Sequence, residues 1–498
     1  MKIFARPRTL ILASVMLVFL PSSRASAEWV KDGTPVCTEP GYQESPAAVS
    51  DGAGGAILTW RDQRDGTDYH VYAQRIDFSG TVRWQPDCVP LCTVGDASSL
   101  PIAASDGAGG AIVAWADDRN GNWDIFAQRV NSAGAIQWAS NGAPVCTTSA
   151  TQATPVIAPD GFGGAVIAWI STGTMFAQRI DATGTVLWAS GGVQLGNNSP
   201  GYDRVSEPAI ASDGAGGAIV CWVNEDDHYY LYANRVNASG TVLWTADGIY
   251  VSDSGVTHAP RIISNGPGGS IIAWEDLRSD WNIHAQRLDS TGAAQWTAGG
   301  VRMTVAAAHQ YKPDLITDGS GGALVVWTDS RGAEPDIYAQ RVDSTGAIQW
   351  LADGVALCAA SGGQMNPDIC SDGSTGALIA WFGNQTGDED VYAQRVDSSG
   401  SIQWEAEGVS LSAETGNQAN YRFRGGHIVP DGTGGAIVAW QDARDADEDV
   451  YAQRVTASGI PGSDIVPVSL PAVLITAATM GLLGIRKLRD LKLRRIPF

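Results

Sequence analysis

The residues best placed to do chemistry are carboxylates that come after a recurring tryptophan. After Trp60 comes RDQRDGTD, after Trp115 ADDRNGNWD, after Trp222 VNEDDHYY, after Trp274 EDLRSDW, after Trp327 TDSRGAEPD, after Trp381 FGNQTGDED and after Trp440 QDARDADED. Only ISTGT, after Trp169, lacks acid. Gathered on one rim, such oxygens suit calcium. Asp442, Asp445, Asp447 and Asp449 form the densest set, although no segment has the D-x-D-x-D-G spacing of a defined calcium loop. The other reading of the same letters is a solvated acidic rim. Two carboxylates about 5–10 Å apart would also meet the minimum for glycoside cleavage. Aromatics lie in the same and neighbouring loops: Trp123, Tyr229, Tyr230, Trp281, Tyr311 and Tyr421, the last beside Arg422 and Arg424. Rings next to carboxylates suit glycan or peptide binding, each alone being also a loop-packing residue. The histidines, His70, His228, His258, His284, His309 and His427, have no metal-ligand spacing. His284 fills a slot held elsewhere by Tyr338 or Tyr392, which places it in the core. No catalytic residue and no cofactor is assigned, calcium being the one ion the loops would suit.

These loops belong to a unit repeated eight times. An Asp-Gly or Asn-Gly pair begins at residues 51, 106, 160, 213, 265, 318, 372 and 431, with a tryptophan eight or nine residues on and an A-Q-R or A-N-R triplet after it. A period of 52 to 59 residues lies in the range of propeller blades and solenoid repeats. Within one copy, IAASDG reads as a first strand ending in a tight turn, because Asp and Gly tolerate positive φ. AIVAW is a second strand, apolar on both faces, and DIFAQRV a third. The fourth is AIQW and the residues after it. No helical 3.6 period appears in the repeat region. Strands apolar on both faces need cover on both, and blades stacked around an axis provide it.

The cut point separates a closed ring from an open stack. The fourth-strand tryptophan occurs at 84, 138, 188, 244, 296, 350 and 404, one short of eight, and the eighth repeat stops at AQRVTASGIPGSD. The missing piece stands at the front, where Trp29 begins WVKDGTPVCT. A ring joined through one shared blade needs that offset, whereas a solenoid would need polar caps. The expectation is an all-β, eight-bladed β-propeller of four-stranded blades over residues 28–460, with a β-solenoid as runner-up. A residue present in every copy is scaffold, since a catalytic site needs one of each group. The AQR arginines are therefore structural, with the Asp two residues after the tryptophan (Asp62, Asp117, Asp276, Asp329, Asp442) as a partner that is not obligatory. Cys37, Cys92, Cys146 and Cys358 share one slot in four repeats, too far apart for a bridge, as are Cys88 and Cys92 along one strand. The seven cysteines read mainly as small buried residues.

The ends read as addresses. Residues 1–27 resemble a secretory signal peptide, with Lys2, Arg6 and Arg8, the apolar run 9–20 and Ala25-Ser26-Ala27. After a short linker, 461–464, the uncharged stretch 465–485 has the length of a transmembrane helix, and the basic tail 486–498 would be held in the cytoplasm. It is also similar to a bacterial C-terminal sorting signal, which is processed. The formal charge is −21, and residues 28–464 carry 22 basic against 52 acidic side chains, about −30. That excludes nucleic acid as a partner, since binding it requires phosphate neutralisation. The unit SDGxGGAIxAWxDxR…DIYAQRVDxxGxxxW resembles repeats of secreted bacterial β-propeller proteins. The Asp-box of sialidase-type propellers, S-x-D-x-G-x-x-W, is not matched. The expected function is a non-enzymatic, surface-anchored extracellular propeller that binds a glycan or a protein through its acidic loop face. The alternatives are an extracellular glycan-active enzyme of hydrolase or lyase type and a structural coat protein.

Overall fold

The computed structural model describes residues 29–462 except 98, 197–204, 226–228, 253–254, 279, 414–426 and 445–446. The expected signal peptide, the span 465–485 and the tail 486–498 lie outside the described residues. Among the described residues no helix is long and apolar enough to cross a membrane.

The chain forms eight four-stranded antiparallel sheets, each a blade of a closed ring. Blade 1 has strands Gln43–Ser50, Ala56–Asp62, His70–Ile76 and Val89–Cys92. Blade 8 takes Ile428–Pro430, Ala436–Asp442 and Asp449–Val455 from the end of the chain and Thr34–Cys37 from its beginning. Thr34 pairs with Ala452 and Cys37 with Val450, so the N-terminal offset does close the ring. Pro461 bridges Val455 and Gly462 meets Trp29, which carries the last blade to residue 462. The described residues form eight hydrophobic clusters, one between each pair of neighbouring blades. The cluster joining blade 8 to blade 1 contains Trp29, Trp60, Ile437 and Val450. Second strands such as Ala111–Asp117 are buried throughout, as double-sided apolarity requires.

Two features differ from the expected repeat. The fourth strand does not begin at AIQW. Ile136 makes a single bridge to Val130, the chain turns through Gly142, and pairing resumes at Ala143–Cys146. The tryptophan before that turn reaches across to the next blade instead. Trp84 Nε1 donates to Ser132 O (3.1 Å), Trp138 to Ala182 O (3.1 Å), and Trp29, closing the circle, to Phe78 O (3.1 Å).

The AQR arginines also find a different partner. Each of seven pairs with the aspartate of the Asp-Gly turn, as Arg75 with Asp51 (2.7 Å) and Arg454 with Asp431 (2.8 Å). The other carboxylate oxygen of that aspartate takes turn amides, as Asp51 Oδ1 takes Gly55 N (2.8 Å). The Asp two residues after the tryptophan serves the tryptophan itself: Asp62 Oδ2 accepts Trp60 Nε1 (2.9 Å) and pairs with Arg64 (2.6 Å). The motif is therefore W-x-D-x-R, closed within one strand end. It is broken after Trp169, Trp222 and Trp381: the buried indole N–H of Trp169 has no partner, and that of Trp381 donates to Gln364 Oε1 (2.9 Å) instead.

Blade 5 has Asn265 in the turn, its Nδ2 buried without a partner, while Arg287 keeps a bond to Ser344 O (2.9 Å). Asn265→Asp should complete the eighth turn pair and raise stability by about 1.5 kcal/mol, the worth of a charge-assisted bond. A urea midpoint unchanged or lowered would contradict this assignment of the arginines.

Candidate functional site at the mouth of the central channel

The first strands of the blades line a central channel of about 680 Å³. In seven blades this strand carries a proline five residues before the turn: Pro46, Pro101, Pro155, Pro208, Pro260, Pro313 and Pro367. Proline has no N–H for the ladder. The register shifts across it in blades 1 and 3 to 7, and the preceding residue (Ser45, Thr154, Glu207, Ala259, Lys312, Asn366) has φ between 46° and 56°. A bulge of this kind re-aims the side chains beside it, here toward the channel.

The residue four before the turn then divides the ring. In blades 1 to 4 it is Ala47, Ile102, Val156 and Ala209; in blades 5 to 8 it is Arg261, Asp314, Asp368 and His427. One half of these positions is apolar and the other ionisable, Asp314 and Asp368 lining a small recess of about 20 Å³ that shares Arg261, Lys312 and His427 with the channel. Arg261 Nε lies 4.0 Å from Asp314 Oδ1. Asp314 Oδ2 accepts Ile369 N (3.2 Å) and hydrogen-bonds Asp368. Asp368 Oδ2 accepts His427 N (2.6 Å) and lies 3.4 Å from His427 Nδ1. Burial, the neighbouring Asp368 charge and the shared hydrogen bond push the Asp314 carboxyl well above the carboxylate range. Burial also acts on Asp368, but the hydrogen bonds from His427 and Asp314 outweigh it and hold this carboxyl below that range. The opposite directions favour a proton on Asp314 beside an ionised Asp368.

Above this wall, at blades 4 to 6, a second group gathers. The His258 ring lies 5.4 Å from Tyr229 and 5.4 Å from Trp281. Its Nδ1 is 3.4 Å from Glu207, and that contact outweighs burial to raise the histidine above its usual value. Glu207 also accepts Ala259 N, and Glu275 accepts Lys312 N (2.7 Å). Burial raises Glu275. Glu207, Lys312 and Arg261 border the channel itself. A third group spans blades 8 and 1: Arg61 pairs with Glu44, Tyr69 Oη donates to Glu44 (3.0 Å), and burial with the nearby Glu44 charge raises Glu448.

Tyr229 and Trp281 are thus the two expected ligand aromatics that come together. Tyr230 instead meets Tyr250 on an outer strand, with ring centroids 5.7 Å apart. Tyr311 Oη is 3.5 Å from Ser330, and Trp123 packs on the core between blades 2 and 3. Tyr421, Arg422 and Arg424 lie outside the described residues.

The acidic rim is less acidic than its letters. Asp62, Asp117, Asp276, Asp329 and Asp442 are 0% exposed and paired with arginine. Of the calcium set, Asp442 is consumed by Trp440 and Arg444, Asp449 is buried, Asp447 accepts Gly41 N (3.2 Å), and Asp445 lies outside the described residues. Among the described residues no three His, Cys, Asp or Glu side chains converge so as to hold a metal ion.

Sequence reasoning passed over the channel wall because it looked for function in the long loops. The signal was present: the slot four before the turn is apolar in four copies and ionisable in four.

No family model and no curated protein matches the chain. Solved structures do. A lectin from Burkholderia pseudomallei superposes with TM-score 0.50 at 11% identity, covering 72% of this chain and 98% of the lectin. An ulvan lyase of a polysaccharide lyase family gives TM-score 0.48 at 10% identity, covering 78% of this chain and 97% of the lyase. An α-L-arabinanase from Penicillium chrysogenum gives 0.35 at 12% identity, over 64% of this chain and 98% of that one. What this chain shares with these proteins is the propeller fold.

Proposed function

We propose that the protein is an exported, surface-held binding propeller that takes a glycan at the channel mouth over blades 4 to 6, without turning it over. Export and anchoring rest on the two chain ends. The observation that supports glycan binding is the convergence of Tyr229, His258, Trp281, Glu207, Glu275 and Lys312; the four ionisable groups are single-copy departures from the repeat, while the two rings share their slot with Tyr69 and Trp123. Rings offer stacking faces to sugar C–H surfaces, and the charged groups beside them accept or donate to hydroxyls.

The test is a panel of polysaccharides and oligosaccharides presented to the exported protein, with release of product measured alongside. Trp281→Ala should weaken the bound member about tenfold, one stacking contact's worth. Failure of every glycan to bind, or binding indifferent to Trp281, would sink the proposal. A second reading, a glycan-active enzyme, draws on the Asp314–Asp368 pair, whose carboxyls are shifted in opposite directions, although in direct contact they stand closer than glycoside hydrolysis requires. Product release would establish it over the binding-only reading, and absence of both binding and turnover would favour a structural coat.

A further inference from the structure

We propose that Cys37 and Cys88 form a disulfide that pins the ring-closing strand to blade 1. One slot of the repeat is reserved for glycine. Four residues after the inter-blade tryptophan, seven copies carry Gly33, Gly142, Gly192, Gly248, Gly300, Gly354 and Gly408. All seven have φ between 78° and 106°, and a Cβ on any of them would lie 2.5 to 2.9 Å from a second-strand tryptophan. In blade 1 that slot is Cys88, with φ 64°. A side chain is therefore held in left-handed backbone, in the turn where every other copy has none. Strain of that kind persists where something else requires the residue.

What it faces is fixed by the ring. The cysteine slot of each fourth strand abuts the corresponding turn of the next blade. Cys146 Sγ lies 3.8 Å from Gly191 O across the junction of blades 2 and 3, and Cys358 Sγ 3.3 Å from Glu407 O across that of blades 6 and 7. At the junction of blades 8 and 1 the same approach brings Cys88 Sγ within 3.8 Å of Val36 O, the carbonyl next to Cys37, and the Cys88 thiol is the foremost influence on the Cys37 thiol. Both are buried, in the cluster that joins the last blade to the first. Among the described residues this is the junction with a thiol on each side. Comparing equivalent slots with one another, or cysteines along one strand, misses it, because the pair joins two different slots of neighbouring blades.

The strand Thr34–Cys37 is the piece of the chain whose docking makes the ring. Linking Cys37 to Cys88 holds it against blade 1, so that closure becomes pairing of an already positioned strand with Asp449–Val455. The bond forms by exchange with a protein disulfide of the compartment to which the chain is exported. A thiolate of one cysteine attacks that disulfide, expelling one sulfur as thiolate. The second cysteine then attacks the mixed disulfide, expelling the other. The two cysteines lose two protons and two electrons, and the partner leaves as a dithiol. The contact with Cys88 and burial hold the Cys37 thiol far above its ordinary range once folded, so exchange belongs to the folding chain.

The full chain, exported to an oxidising compartment, alkylated and digested with trypsin without reductant, should yield peptide 32–61 linked to peptide 84–119 through Cys88. Recovery of Cys37 and Cys88 both alkylated, or a bond from Cys92, overturns the proposal. Stability supplies an independent readout. Cys88→Gly should melt about 5 °C below the oxidised protein, having lost a cross-link, and above the reduced protein, having lost a left-handed side chain. Cys37→Ala should lose the oxidised gain and show no gain in the reduced state. Melting temperatures of the parent that do not respond to reduction would overturn the proposal.

Discussion

Trp29→Ala is expected to cost about 3–5 kcal/mol, the range for deleting a buried aromatic side chain, and to cost more than the same change at Trp138. Both indoles are buried, and both reach the next blade through one bond to a turn carbonyl. Both rings lie over the glycine of that turn, Gly80 for Trp29 and Gly184 for Trp138. The difference is in what else depends on them. Blades 2 and 3, which Trp138 joins, are each complete within continuous chain. Trp29 leads the strand that blade 8 borrows, and it also meets Gly462 at the far end of the same blade. Around it, Gln453 Nε2 donates to Val30 O (2.8 Å) and Arg444 Nη2 to Asp32 O (2.6 Å), contacts across 423 and 412 residues of sequence. Removing the indole releases the segment that makes those bonds, and the loss of ring closure adds to the cavity. Urea unfolding of the two variants measures the difference. Equal costs would mean that the closing junction is no more than one of eight equivalent ones.

How far the sequence reaches can be judged from particular residues. The blade count and the borrowed strand were legible because Trp29-Val-Lys-Asp-Gly-Thr-Pro-Val-Cys is a copy of a fragment whose remainder stands at the other end. Repetition carries that information without any knowledge of geometry. The partner of each AQR arginine was not legible, because the unit contains two aspartates and only cross-strand register places the turn aspartate under the guanidinium. The acidity of the rim was misread for the same reason: a string such as QDARD spells out charges but does not say that Asp442 and Arg444 neutralise each other beneath Trp440. The channel wall was half legible. His427 and Asp368 occupy one slot and are visible as departures, but their approach across a blade junction, and the bulges at Pro313 and Pro367 beside which Asp314 and Asp368 stand, come from the folded ring.

That wall supports the second large effect: Asp314→Asn should stabilise the protein at neutral pH, and Asp368→Asn should destabilise it, although the two aspartates are equivalent positions in adjacent blades. Asp314 has a folded value raised above its unfolded one, chiefly by burial. Its contribution is complete below an unfolded value of about 3.9 and is lost as pH rises toward the folded value, at about 1.4 kcal/mol per pH unit. Asparagine ends that loss while retaining a donor toward Asp368 and an acceptor for Ile369 N. Its advantage is therefore absent near pH 3.5 and grows with pH until the folded value of Asp314 is reached. Asp368 behaves in the opposite sense. Burial opposes its charge, but His427 and Asp314 prevail and depress the folded value, so its contribution is present above about pH 4 and is lost as pH falls through that depressed value. Asp368→Asn removes the charged acceptor of His427 N, and weakening a charge-assisted bond of this kind costs about 1.5–3 kcal/mol at neutral pH. Melting temperatures of the two variants and the parent from pH 3.5 to 8 decide the matter, and shifts of the same sign at neutral pH would show that the proton is not held on Asp314. The same variants bear on turnover. An enzyme that used the pair would lose activity in both, whereas a wall that only shapes the channel would leave ligand affinity in the stabilised Asp314→Asn protein where it was.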